Sequence, residues 1–193
     1  MSNIRQYLKE HIELMTPLVK PLGDKVQDSI HMTSGAITEL FLELQEAFDK
    51  QDMINIVEEF GDAFFYLSQL AVIHGTVDAF IEGYVSLDTI PVSNDEKITY
   101  GLLSLLRITD MNKGCQVYGR EYDPLLMASE SYELGRQFSI AIREELGDQN
   151  YESTIGVLEK NYEKLHKVRY KDGYSDYSAN NRDLDAEREA LGN

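Results

Sequence analysis

The stretch Ile54-Asn-Ile-Val-Glu-Glu-Phe-Gly-Asp-Ala-Phe-Phe-Tyr-Leu-Ser-Gln-Leu-Ala-Val-Ile73 decides the fold. It is too long for a strand, and its apolar residues do not alternate with polar ones. Wound as a helix, it carries Phe60, Ala63, Phe64, Phe65, Leu67, Leu70, Ala71 and Ile73 nearly all the way round. A helix of that kind is a buried one. Asp52 is placed to cap its start and Gly75 to end it. Two residues contradict the pattern. Glu59 and Asp62 lie near the middle, where a carboxylate is costly to bury unless a metal ion or a cationic side chain compensates it. That conflict points to a site; Glu58 beside them reads as a solvated neighbour.

Outward from this segment the period stays helical. Residues 3–20 space Ile4, Tyr7, Leu8, Ile12, Leu14, Met15 and Leu18 along one face, and Pro21 and Gly23 end the run. A second helix is expected from about Asp24 to Lys50. Downstream, a short helix is expected over Val77–Tyr84 and a loop around Pro91. Asn94 or Asp95 then starts a helix that Gly114 stops near Asn112. Asp123-Pro124 opens another, because proline in the first turn sacrifices no hydrogen bond, and it runs to Leu146-Gly147. The chain closes with a helix from Tyr151 to Val168, a turn-rich segment at 169–175 and a short charged helix from Arg182 to Leu191. The stretch from Thr76 to Tyr122 reads as the least regular part. Strand signals are weak throughout. The expected class is all-α, one domain over 1–193, with a basic segment, 160–193, completing the site.

The chain has 193 residues, 42% of them hydrophobic, and a formal net charge of -16. Such a charge repels nucleic acid polymers and anionic membrane surfaces. A protein this acidic that handles phosphates needs a metal ion, well-placed cations, or both. Cys115 is the only cysteine, reads as structural, and fits a reducing compartment. No run of residues reaches the roughly 20 apolar residues of a membrane span. The expected setting is cytoplasmic, without a membrane partner. The four histidines (His11, His31, His74, His166) show no metal-ligand spacing.

On the second helix, Glu43 lies about 40° to one side of Glu39 and Glu46 about 20° to the other, if the helix is a regular α-helix. Carboxylates at this spacing usually mark a solvated face, and Ile37, Leu40, Phe41, Leu44 and Phe48 make an apolar stripe opposite. The short connection at Gln51-Asp52 makes this helix an antiparallel neighbour of the next, so the two acidic faces can meet. Oxygen ligands on facing helices suit hard cations such as Mg²⁺ and Mn²⁺.

The piece Glu43-Leu-Gln-Glu46-Ala followed by Glu59-Phe-Gly-Asp62-Ala-Phe-Phe-Tyr-Leu resembles the ExxE…ExxD signature of the all-α nucleoside triphosphate pyrophosphohydrolases, the MazG-like superfamily. The ending Asn161-Tyr-Glu-Lys164-Leu-His-Lys-Val-Arg169-Tyr170-Lys-Asp-Gly173-Tyr174-Ser175, with Arg182 beyond it, resembles the C-terminal pattern of the same superfamily. The resemblance implies a bundle whose carboxylates (Glu39, Glu43, Glu46, Glu59, Asp62) hold Mg²⁺, with Mn²⁺ as the alternative. Glu43, Glu46, Glu59 and Asp62 are the implied catalytic set. The family pattern places an acid where this chain has Leu40, and Glu39 or Glu46 is left to fill that role. Six of the 18 Lys and Arg lie between Lys160 and Arg182, and such side chains suit polyphosphate. Asn161, Lys164, Arg169, Tyr170 and Arg182 are the candidate substrate contacts, with Lys164 and Arg169 on phosphate and Arg188 paired to Glu187 or its neighbours.

The implied reaction is Mg²⁺-dependent hydrolysis of a nucleoside triphosphate, a deoxynucleotide first of all, to the monophosphate and pyrophosphate. Two rivals stand beside it: a non-catalytic helical scaffold on the same fold, and the phosphoribosyl-ATP reaction. The apolar excess of the 54–73 helix, like the resemblance, suggests a homodimer or homotetramer.

Overall fold

The computed structural model describes residues 2–86, 94–147 and 151–192, with side chains from residue 4 onward and, in the second stretch, from residue 101. Among the described residues all regular structure is helical. Helix α1 (Ser2–Met15) passes into a 3₁₀ turn at Thr16–Leu18. Helices α2 (Lys25–Thr38) and α3 (Leu44–Lys50) are joined by a π turn, Glu39–Glu43. There follow α4 (Met53–His74), α5 (Val77–Val85), α6 (Asn94–Tyr118), α7 (Pro124–Glu145) and α8 (Glu152–Tyr162), which runs on as a π segment, Glu163–Arg169. Short helices α9 (Asp176–Asn180) and α10 (Leu184–Gly192) end the chain. No described helix is long and apolar enough to cross a membrane.

The punctuation follows the capping residues. Asp52 accepts from the Asn55 amide at 3.2 Å and Gly75 takes φ 72°, so α4 starts and stops where its sequence says. Asp123 accepts from the amides of Leu125 and Leu126, both at 3.0 Å, with Pro124 at the first position of α7. Gly114 does not stop α6. One glycine inside a helix costs about 1 kcal/mol, and the buried Leu105, Ile108 and Met111 hold that helix against the core. It ends instead at Gly119, with φ 63°. The middle of the chain is therefore helical over 77–85 and 94–118 rather than irregular. The loop expected around Pro91 lies outside the described residues.

Helix α4 is the axis of the domain. It packs against α1, α2, α3, α5, α7, α8 and α10. Phe64, near its middle, meets Phe80, Tyr84 and Phe138 at ring-centroid distances of 5.8, 5.9 and 5.9 Å. Aromatic pairs at this separation add roughly 0.5–1.5 kcal/mol each beyond burial. One chain thus supplies the neighbours that an all-round apolar helix requires, and that apolar excess calls for no second subunit. Helices α5 and α7 come closest together, at Gly83 and Gly135. A Cβ at Gly83 would overlap the Tyr132 carbonyl, and one at Gly135 the Phe80 carbonyl.

Behind α4, a buried chain of hydrogen bonds ties three helices together. Asn112 Nδ2 donates to Ser29 Oγ (2.6 Å), Ser29 lies 2.7 Å from His74 Nε2, and His74 Nδ1 lies 3.1 Å from the Tyr122 hydroxyl. His74 thus bridges Ser29 and Tyr122 through its two ring nitrogens. Burial, with Lys25 nearby, pulls His74 down to about 4.

Candidate metal centre and the cleft beside it

The π turn sets the register of the second helix. The Leu44 amide bonds to the Glu39 carbonyl, an i to i+5 link, so this turn takes an extra residue. The shared arc that an unbroken α-helix would give Glu39, Glu43 and Glu46 is opened. Glu39 is half-buried beside α4, whereas Glu43 and Glu46 are exposed. Glu46 pairs with Lys50 at 2.9 Å. Glu43 stands outside the cluster, though its charge still reaches Glu39.

Glu39, Glu59 and Asp62 each offer a carboxylate oxygen within 4.8 Å of the others. Glu39 and Glu59 perturb each other's charge. Burial, reinforced by the negative charge of Asp62, holds both above the ordinary carboxylate range.

Helix α8 and its π extension supply the other side. Asp62 Oδ1 accepts from Asn161 Nδ2 and from Lys164 Nζ, each at 2.6 Å. Lys164 is wholly buried and also donates to Glu58 at 3.1 Å. Gly61 makes this possible: a Cβ there would stand 2.7 Å from the Asn161 Cβ. The helix can approach only because residue 61 has no side chain. Asn161 Oδ1 is buried and accepts from no partner among the described residues.

Around this centre lies a second ionic knot. The carboxylate of Glu187, on α10, is gripped by both Arg169 and Arg182. Burial would raise Glu187, but the two guanidiniums override it and bring it to about 2. Burial likewise opposes the charge of Arg169, and Glu187 and Asp62 outweigh it, so Arg169 is held above its usual value. Arg182 reaches Glu58 at 3.6 Å.

Several sequence readings change here. Glu58 is no solvated bystander; it is an ion-pair partner of Lys164 and Arg182. Lys164 and Arg169 reach the centre but are committed to carboxylates, because a buried cation needs one. Arg188 pairs with Asp52 at 3.0 Å, not with Glu187. The residues brought together are Glu39, Glu59, Asp62, Asn161 and Lys164, with Arg169 and Arg182 next to them.

Beside Asp62 opens a cleft lined by Phe65, Tyr66, Tyr170, Tyr174, Lys20 and Arg169 among others. The sequence reading included only Tyr170 and Arg169 from this wall. Tyr66 is one turn after Asp62, a signal that spacing alone contains. Its ring lies against the bare backbone of Gly35 and meets His31 edge-on at 6.1 Å. Burial, with Asp62 and Glu39 nearby, pushes its phenol up to about 12, so it stays a hydrogen-bond donor. Tyr170 and Tyr174 pair across the cleft wall at 5.3 Å.

The chain was compared with family models, with curated proteins and with solved structures, and nothing matches in any of the three. The chemical reading therefore rests on the donor set itself. Three carboxylates and an unpartnered amide oxygen beside them offer oxygen donors only, a set that could hold a hard divalent cation rather than a softer ion.

Proposed function

We propose that this protein is a divalent-metal-dependent pyrophosphohydrolase of nucleoside triphosphates, releasing the monophosphate and pyrophosphate. One observation carries the reading. Glu59 and Asp62, on the central helix of the fold, converge with Glu39 within 4.8 Å, and the buried Asn161 Oδ1 beside them lacks a partner among the described residues. The residues fit a hard cation held by Glu39, Glu59 and Asp62. When bound, that ion supplies charge neutralisation for the triphosphate and lowers the pKa of a coordinated water.

The rest is the work of the chain's own groups. Asn161 and Lys164 fix the orientation of Asp62 through its Oδ1, leaving the second oxygen for a ligand. Glu58 and Glu187 hold Lys164, Arg169 and Arg182 beside the centre. Water adds to the α-phosphorus, the bond to the bridging oxygen breaks, and pyrophosphate leaves. An oxygen of Glu39 that the ion leaves free would take the proton of that water.

The test is release of pyrophosphate, not orthophosphate, from a panel of ribo- and deoxyribonucleoside triphosphates with Mg²⁺ or Mn²⁺. Glu59→Gln and Asp62→Asn each abolish it; activity surviving either change refutes the assignment.

A second reading is favoured by one feature. Lys164 and Arg182 already compensate Asp62 and Glu58, so the network is also consistent with a structural role in a helical scaffold. A scaffold gains no thermal stability from Mg²⁺ with a non-hydrolysable nucleotide, whereas the enzyme does by mass action.

A further inference from the structure

The carboxylate centre accounts for the phosphate end of a substrate and leaves the aromatic cleft unused. We infer that this cleft is the nucleoside subsite, with Tyr66 as its fixed wall and Tyr170 and Tyr174 as its second wall. The inference rests on the reading of the centre as a triphosphate site and goes beyond it by assigning recognition of the base.

Four observations support it. First, the cleft is continuous with the centre, because Asp62 lines both. A ligand with its anionic end on the carboxylate-bound ion extends into the cleft. Second, its lining comes from four stretches of the chain, residues 18–20, 31–32, 62–66 and 165–174, so it is a formed concavity rather than the gap beside one helix. Third, the lining residues include three tyrosines, Tyr66, Tyr170 and Tyr174, together with Phe65 and Leu165. Every nucleobase has a face that stacks on such rings. Fourth, polar groups share the cleft with these rings. Lys20 and Arg169 border the cleft, and the Tyr66 hydroxyl makes no hydrogen bond among the described residues.

Tyr66 is the preorganised element. Gly35 provides the slot for its ring and His31 closes the edge, so little side-chain freedom remains to be lost on stacking. Tyr174 is anchored more loosely, through its hydroxyl to Asp176 at 3.0 Å, and Asp176 in turn to Lys20 at 2.5 Å. The cleft thus has one rigid and one adjustable wall. Discrimination between bases belongs to the rigid one.

The experiment compares wild type with Tyr174→Ala, Tyr66→Phe and Tyr66→Leu. Binding of Mn²⁺ alone, binding of nucleosides lacking any phosphate, and KM and kcat on triphosphates are measured for each. Tyr174→Ala and Tyr66→Leu weaken nucleoside binding and raise KM by about 10- to 100-fold, the loss of one stacked ring, with Mn²⁺ affinity unchanged. Tyr66→Phe keeps the ring and changes the ranking of bases more than the mean affinity. Nucleoside affinity and KM that do not move in Tyr174→Ala and Tyr66→Leu overturn the assignment, as does a parallel fall in Mn²⁺ affinity, which would place the effect in the metal centre. If wild type cleaves no triphosphate, the pyrophosphohydrolase reading fails on its own. Cleft-dependent nucleoside binding then sustains the subsite, and its absence overturns that too.

Discussion

Lys164→Met separates a metal centre from a purely structural ion network. Lys164 Nζ has no solvent exposure and sits 2.6 Å from Asp62 and 3.1 Å from Glu58, carboxylates whose side chains are only 17% and 16% exposed. Methionine keeps the length of the side chain and removes the charge. The two acids are then left beside Glu39 and Glu59, with Arg182, at 3.6 Å from Glu58, and Arg169 as the cations nearby. Breaking a buried pair by removing one partner costs about 3–5 kcal/mol. In a domain of this size each kcal/mol moves Tm by about 2–4 °C, so the metal-free variant should melt roughly 6–20 °C below wild type. A divalent ion at 100 times its dissociation constant stabilises by about 2.7 kcal/mol. Since the ion replaces the missing positive charge, Mg²⁺ or Mn²⁺ should restore more stability to the variant than it adds to wild type. The assay is urea and thermal unfolding of both proteins at fixed ionic strength, with and without the ion. If the variant is as stable as wild type, the network reasoning is wrong. If neither protein responds to the ion, the metal reading is wrong.

Three further outcomes are expected. His74 and His11 are each brought by burial to about 4, against about 6.5 when unfolded. Because the folded value is the lower one, their stabilisation is complete above pH 6.5 and is lost as pH falls towards 4, by up to about 3 kcal/mol each; urea unfolding across this window in wild type and His74→Gln measures it. Gly61→Ala forces Asn161 to shift, since its Cβ would stand 2.7 Å away. Overpacking of about 1–3 kcal/mol outweighs the gain in helix propensity, and activity falls together with stability, a pairing that kinetics and calorimetry on the same sample can check. Glu187→Ala strips Arg169 and Arg182 of their shared carboxylate, and hydrogen exchange over residues 184–192 should accelerate by at least tenfold, while retained protection there would show that α10 is held by other contacts.

Much of the site was legible because burial and charge conflict within one segment. Glu59 and Asp62 stand out on an all-round apolar helix without any coordinates. Glu39 could be named but not chosen over Glu43 and Glu46, since the choice depends on the π turn. Whether a turn winds i to i+4 or i to i+5 is settled by packing against α4, not by residues 39–43. The partners of Lys164 and Arg188 were illegible for a related reason. Lys164 and Asp62 are 102 residues apart, and only tertiary structure brings them together. Gly114 misled because a local propensity was read without the Leu105, Ile108 and Met111 anchors beside it. The Tyr66 wall was there in the spacing from Asp62, but an aromatic on a buried helix reads first as core.

The contact between α5 and α7 has a use outside the chemistry. At Gly83 and Gly135 the neighbouring carbonyl occupies the volume that any β-carbon would need. Surface charge, caps and even the acidic residues can drift in a lineage while the backbone persists, but these two positions admit a single amino acid. Two helix-embedded glycines, one following the central apolar helix closely and one in the helix opened by Asp-Pro, form a fingerprint by which distant chains with this architecture can be sought where overall similarity has faded.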